Sequence, residues 1–231
     1  MSAVAVVKVG GALLENPSAA VDKILALHGE RLVVVHGGGI QITRMLEKMN
    51  VSSQFIDGLR VTDERALEAV AAALLGEVHT SIVSALQAAG ISAVGVFGAV
   101  HAEKKSGPWG LVGTAVRADA PALTALIDRG LVPVIPTLAI GESSLLNVNG
   151  DETATGVALS LQAARLVFLT DVEGVRDAEG RVIDHIPPGV SLIDAPFVSG
   201  GMQPKLRAVA AALAGGVRHV SVGRTTFGSD A

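Results

Sequence analysis

Short valine-rich runs alternate with longer segments of helical period along all 231 residues, and this alternation limits the fold more than any other feature. The strand-like runs fall at 3–9, 32–36, 92–97, 132–135, 166–170 and 217–222. Helical patterns occupy 17–28, 40–49, 62–89, 120–129, 151–164 and 203–214. Such alternation predicts an α/β fold whose mostly parallel central sheet carries helices on both faces. The longest helical pattern places Leu67, Val70, Ala71, Leu74, Val78, Ile82 and Leu86 on one stripe, with Thr62 or Asp63 as its cap. Residues 98–119 have no clear period, include GPWGLVG and read as an irregular excursion or a hairpin. A glycine- and serine-bearing stretch at 141–150 precedes the next helix. A division near residue 137, into two lobes over one continuous sheet, is the simplest arrangement.

Composition removes several function classes. Hydrophobic residues make up 49% of the chain but aromatic ones only 3%, so the interior must be mostly aliphatic. The net charge is −4 with no basic run, which speaks against a nucleic-acid partner. With no cysteine, neither disulfides nor thiolate metal sites are available. The first residues do not follow a secretory signal pattern, and no uninterrupted apolar stretch reaches the roughly 18 residues of a membrane span. A soluble, cytoplasmic protein without a membrane partner is expected.

Charged residues in apolar surroundings mark the candidate site. AVAVVKVGGALL places Lys8 in a strand that otherwise looks fully buried, just before Gly10-Gly11. A buried ammonium needs an anionic partner. LVVVH runs into Gly37-Gly38-Gly39 and then a helix, where free N–H groups attract anions. Ile42 stands where a dinucleotide fingerprint would have its third glycine, and no Walker A sequence occurs. An ordinary tight turn explains this triplet equally well.

GLRVTD sets Arg60 before the long helix, either as a planar carboxylate clamp or as a solvated arginine. In LLNVNGDET, Asn147 and Asn149 share one face of an extended segment and Asp151 begins a helix. An N-cap role accounts for Asp151, worth typically about 1 kcal/mol, but leaves the two asparagines unexplained. SGGMQPKL puts Lys205 in a first helical turn, the wrong end of the dipole for a cation unless an anion intervenes. LTDVEGVRD ends a strand in acids and a glycine, where open α/β sheets bind ligands and where ordinary turns also occur. Together, two ammoniums beside glycine-rich turns suit the spreading charge of a transferring phosphoryl group.

In this order, KVGGALL, HGGG, GLRVTD, NVNGD, LTDVEGV and SGGMQPK resemble the amino acid kinase family, and within it the acetylglutamate branch, from about residue 4 to residue 224. The resemblance implies a three-layer αβα sandwich. Residues 1–137 would form a lobe for acyl-amino-acid binding and dimerisation, and 138–231 a nucleotide lobe. It implies that ATP phosphorylates the side-chain carboxylate of N-acetyl-L-glutamate, the second step of arginine biosynthesis. Lys8 and Lys205 would stabilise the phosphoryl group, with Asp151 orienting both. Gly38, Gly39, Arg60, Asn147 and Asn149 would hold the acyl-amino acid. Gly10 and Gly11 would line the phosphate path, and Asp171, Val172, Glu173, Gly174, Val175, Arg176 and Ser199 would border the nucleotide. Mg²⁺ would be carried by the phosphates, with no protein metal ligand.

Two other functions keep the same motifs: an N-acetylaminoadipate kinase of lysine biosynthesis, and a non-catalytic amino-acid or nucleotide sensor. The chain opens almost directly on its first strand, without an extra N-terminal helix, from which an arginine-insensitive homodimer is expected. After GVRHVSVGR only TTFGSDA follows, so a final helix is expected to be missing. The segment HAEKKSGPWGL at 101–111 departs from the family pattern and is expected to affect closure over the substrate.

Overall fold

The computed structural model describes residues 3–27 and 29–228. In chain order the strands are β1 (Val4–Val9), β2 (Arg31–His36), β3 (Phe55–Ile56), β4 (Leu59–Arg60), β5 (Ala93–Gly95), β6 (Val100–Lys104) and β7 (Val112–Ala118). They continue with β8 (Val132–Pro136), β9 (Leu138–Ile140), β10 (Leu145–Val148), β11 (Arg165–Leu169), β12 (His185–Ile186), β13 (His219–Val222) and β14 (Thr225–Gly228). The helices are α1 (Pro17–Leu25), α2 (Gly39–Lys48), α3 (Glu64–Ala71), α4 (His79–Ala88), α5 (Ala120–Ile127), α6 (Gly150–Ser160) and α7 (Met202–Ala214).

Eight strands form the central sheet in the order β12-β14-β13-β11-β1-β2-β8-β5. All neighbours run parallel except β13 and β14. Successive side chains of a strand face opposite layers. In β1, Ala5, Val7 and Val9 pack with Ala20, Ile24, Ile82 and Leu86 of α1 and α4. Val6 faces the other way, toward Leu123 of α5, Val157 of α6 and Val209 of α7. The expected sandwich is therefore present, and the same alternation assigns Lys8 to the α6 and α7 side. The division at 137 falls between β8 and β9, and the sheet continues across it.

α3 and α4 are one continuous helix, Glu64–Ala88, interrupted by a π-helical stretch at Ala72–Val78. It is long and apolar enough, by length and composition, to cross a membrane. Its stripe is nevertheless core: Val70, Leu74, Val78, Ile82 and Leu86 are buried. Asp63 caps it, accepting from the Ala66 amide at 2.7 Å. The expected helix at 17–28 stops at Leu25, and His28 lies outside the described residues.

The region 98–119 contains a hairpin, β6 with β7, as one of the two sequence readings allows. Unanticipated are β9 and β10, which join it in a closed four-stranded barrel. The stretch 141–150 is thus partly strand, with Asn147 paired to Val112 across the fold. At the other end, β13 turns through Gly223-Arg224 directly into β14, so TTFG completes the sheet between β13 and β12. Residues 229–231 lie outside the described residues.

Candidate active site

Lys8 leaves β1 beside Phe168 of β11, its register partner, on the face covered by α6. Its side chain lies between two glycines. A Cβ at Gly10 would stand 2.4 Å from Lys8 Nζ, and one at Gly150 would stand 2.9 Å from Lys8 Cε. Only glycine leaves room for the lysine at those two approaches. The ammonium then meets Asp151 Oδ1 at 3.0 Å.

Asp151 sits in the first turn of α6, where the helix dipole favours a carboxylate. It is not the cap. Asn149 is, its side-chain oxygen accepting from the Asp151 and Glu152 amides at 2.9 and 3.2 Å. With the cap supplied two residues earlier, the buried Asp151 carboxylate is free for the lysines. Lys205 Nζ donates to Asp151 Oδ2 at 2.9 Å and to Oδ1 at 3.1 Å, and lies 5.2 Å over the Phe168 ring.

Burial by itself pushes the Asp151 carboxyl up, but the two ammoniums and their hydrogen bonds outweigh it and hold the group below the usual carboxylate range. Burial draws the Lys205 ammonium below the ordinary lysine value, Asp151 opposing and Lys8 reinforcing the shift. Two cations share one anion, which leaves a net positive charge in a sparsely hydrated place. A buried ion cluster of this kind adds little to stability by itself. It is suited to receiving a further anion.

A cavity of about 450 Å³ opens beside this cluster, lined by Lys8, Gly10 and Gly11 on one side and by the Gly37–Gly39 turn on another. Arg60 and Phe55 of the β3–β4 hairpin, with Asn147, Asn149 and Gly150, complete its border. Arg60 is buried rather than solvated: it donates to Ser53 Oγ at 2.9 Å, Thr43 Oγ1 at 2.8 Å and the Gly39 carbonyl at 3.4 Å. Its guanidinium lies 4.6 Å over the Phe55 ring. Asn147 Nδ2 donates to Thr62 Oγ1 at 3.1 Å.

Of the ten candidates at the phosphoryl and acyl end, Lys8, Gly10, Gly11, Gly38, Gly39, Arg60, Asn147 and Asn149 line this one cavity, whereas Asp151 and Lys205 are outside its lining and join it only through the ion pair with Lys8. The candidates for the nucleotide side lie outside its lining. Asp171 follows β11, and its Oδ1 would be 3.2 Å from a Cβ on Gly11, which itself has φ +62°. Glu173 pairs with Arg176 at 3.1 Å, and Ser199 is exposed ahead of α7. Val172 is largely exposed, while the Val175 side chain is fully buried in the core. Gly174 packs against Thr225, whose Oγ1 accepts from the Val175 amide at 2.8 Å.

Sequence reasoning did not single out Phe55, Ser53, Thr43 or Thr137. One signal was available: FIDGLR carries Asp-Gly between apolar residues, the mark of a two-residue hairpin turn. Asp57 (φ 51°) and Gly58 (φ 76°) both take the left-handed conformation that turn requires.

A model of the amino acid kinase family matches residues 3–224. An acetylglutamate kinase of Acidobacterium capsulatum is 41% identical over 94% of this chain and 89% of its own length. One from Rubrobacter xylanophilus is 40% identical over 95% of this chain and 89% of its own. A solved Streptococcus mutans UA159 structure superposes with a TM-score of 0.88 at 29% identity, covering 98% of this chain and 99% of that one. An N-acetylglutamate synthase from Neisseria gonorrhoeae, complexed with coenzyme A and N-acetyl-glutamate, gives 0.85 at 25% identity over 99% of this chain and 60% of its own.

Proposed function

We propose that this chain, which belongs to the amino acid kinase family, transfers the γ-phosphoryl group of ATP to the side-chain carboxylate of N-acetyl-L-glutamate. The observation that carries the reading is the Lys8–Asp151–Lys205 cluster at the edge of a glycine-walled cavity. The naming of the relatives as acetylglutamate kinases supports the acceptor. A shared fold alone would not, since the synthase from Neisseria gonorrhoeae has it too.

The acceptor carboxylate is ionised at neutral pH, so no general base is needed. One of its oxygens bonds to the γ-phosphorus as the bond to the bridging oxygen breaks, and ADP leaves with that electron pair. Charge spreads over the three equatorial oxygens of the phosphoryl group. Lys8 and Lys205 both hold the Asp151 carboxylate, Lys8 at Oδ1 and Lys205 at both oxygens, and this shared anion positions the two ammoniums before the substrate arrives. Amides of Gly10, Gly11, Gly38 and Gly39 offer further donors along the path, and Arg60 holds a carboxylate of the acyl-amino acid. ATP enters as its Mg²⁺ complex, the metal held mainly by the phosphates. The family resemblance supports a cytoplasmic homodimer, which light scattering would test as twice the chain mass.

The test is ADP release coupled to hydroxylamine trapping of the acyl phosphate, with N-acetylglutamate, N-acetylaminoadipate and glutamate side by side. Preference for N-acetylglutamate in kcat/KM is expected. Because one methylene is worth only about 1–3 kcal/mol, turnover of the longer acid at a reduced rate is compatible with the reading. Preference for N-acetylaminoadipate would reassign the substrate. ATP binding without transfer to any acyl-amino acid would mark a nucleotide sensor instead.

A further inference from the structure

The β3–β4 hairpin contributes Phe55, Gly58, Leu59 and Arg60 to the cavity, yet each strand has only two residues. Isolated hairpins of this size are not stable in water. Arg60 secures its base through Ser53 and Thr43. Its first strand, β3, is fastened by the loop between β6 and β7, at Trp109.

The Trp109 indole Nε1 donates its single hydrogen to the Ile56 carbonyl at 3.1 Å. The Trp109 carbonyl accepts from the Thr62 amide at 2.9 Å, and the Leu111 amide donates to the Thr62 carbonyl at 2.6 Å. That approach depends on Gly110 (φ +72°), where a Cβ would stand 2.3 Å from the Thr62 carbonyl oxygen. The ring itself rests on Gly107 (φ +126°), where a Cβ would stand 2.4 Å from Cζ3, and under Lys105 Nζ at 4.7 Å. Thr62 is also the residue to which Asn147 donates. One loop therefore holds both the hairpin and the segment that leads from it toward Asn147.

We propose that Trp109 is a positioning residue for the acyl-amino acid, fixing the β3–β4 hairpin so that Arg60 and Phe55 face the cavity. The identity of the ligand rests on the function proposed above; the anchoring does not. Trp109 touches neither the lysine cluster nor Asp171, so its effect falls on one substrate only.

Trp109 is the only tryptophan and tyrosine is absent, so emission excited at 295 nm reports this contact alone. In the full-length wild type, N-acetylglutamate is expected to change that emission saturably, and MgATP alone to leave it unchanged. Trp109→Phe keeps a ring on Gly107 but removes the donor. It is expected to raise KM for N-acetylglutamate about three- to tenfold, the scale of one lost hydrogen bond. KM for MgATP and kcat should change less than twofold. Hydrogen exchange of residues 54–61 in the ligand-free protein should quicken in the variant while α6 and α7 keep their wild-type protection.

Unchanged exchange at 54–61 overturns the proposal, as does a parallel rise in both KM values. If Trp109→Phe does not fold, the wild-type emission decides: no response to N-acetylglutamate overturns it. If the folded wild type phosphorylates no acyl-amino acid, the proposed function fails, and exchange at 54–61 judges the anchor by itself.

Discussion

Lys205 Nζ is held 2.9 Å from Asp151 Oδ2 although the two residues are 54 positions apart and belong to different helices. Each lies in the first turn of its helix, α7 and α6. For Asp151 that position is electrostatically favourable; for Lys205 it is not. The carboxylate of one helix thus retains the cation of the other against the field at its own terminus.

Asp151→Asn removes that hold and leaves Lys8 and Lys205 facing a neutral amide. Loss of a preorganised charge at a reacting centre costs about 10²–10³ in kcat, and the same range is expected for Lys8→Ala and Lys205→Ala. The asparagine variant should also lose stability, about 3–5 kcal/mol by the usual cost of breaking a buried ion pair. Acyl-phosphate trapping and thermal melts of the three variants check this. Wild-type kcat in all three would remove the site assignment.

Gly10→Ala separates chemistry from folding. Gly10 has extended backbone, φ −154°, which alanine adopts without strain. The new methyl would nonetheless stand 2.4 Å from Lys8 Nζ, the mobile end of a side chain that can swing away. The expected result is a small change in Tm with a fall in kcat of about tenfold or more, since about 1 Å of misplacement costs as much as 10²-fold. Parallel loss of Tm and activity would show that the glycine serves packing instead.

Six of the eight central strands were legible because strands buried on both faces are apolar throughout, the runs matching β1, β2, β5, β8, β11 and β13, whereas the short strands β12 and β14 at one end of the sheet were not. The barrel strands β9 and β10 were not, because their pairing brings Asn147 to Val112 and leaves no local period to read. The same holds for the π-helical turn at Ala72–Val78, whose apolar residues look like any helical stripe. In the site, Lys8 was conspicuous as a charge in an apolar run and Lys205 as a cation at the wrong helix end. Arg60 was not: whether it is solvated or buried depends on Ser53, Thr43 and Phe55, which only the folded hairpin assembles. Asp151 looked like a cap until Asn149 was seen to hold that position.

The Lys205 ammonium must be charged to stabilise the phosphoryl group, and burial lowers its pKa from the ordinary lysine value of 10.5. Activity is therefore expected to be full below the lowered pKa and to fall as pH rises through it. Lys205→Arg, whose guanidinium stays charged, should flatten this alkaline limb while reducing kcat. Rate profiles between pH 7 and 10.5 distinguish the cases. An unchanged limb in the arginine variant would assign it to another group.

His36 provides the opposite limb, through stability. It is fully buried at the end of β2; its Nδ1 donates to the Gly37 carbonyl at 3.0 Å, and its Nε2 accepts from His79 Nδ1 at 2.9 Å. His79 is closed in from behind by Gly95, where a Cβ would stand 2.4 Å from its Nε2. Burial lowers His36 to about 4, the Gly37 carbonyl opposing and His79 assisting. Between about 4 and 6.5 the unfolded chain binds the proton that the folded one refuses, so stability declines as pH falls through that window. A drop from 6.5 to about 4, at about 1.36 kcal/mol per unit, corresponds to about 3 kcal/mol once pH is below both values. Above pH 6.5 the group contributes no pH dependence. Urea unfolding at pH 7.5, 6, 5 and 4.5 should therefore show a steeper decline in the wild type than in His36→Asn, which has no titrating ring. Parallel slopes in the two proteins would assign the acid limb to carboxylates elsewhere.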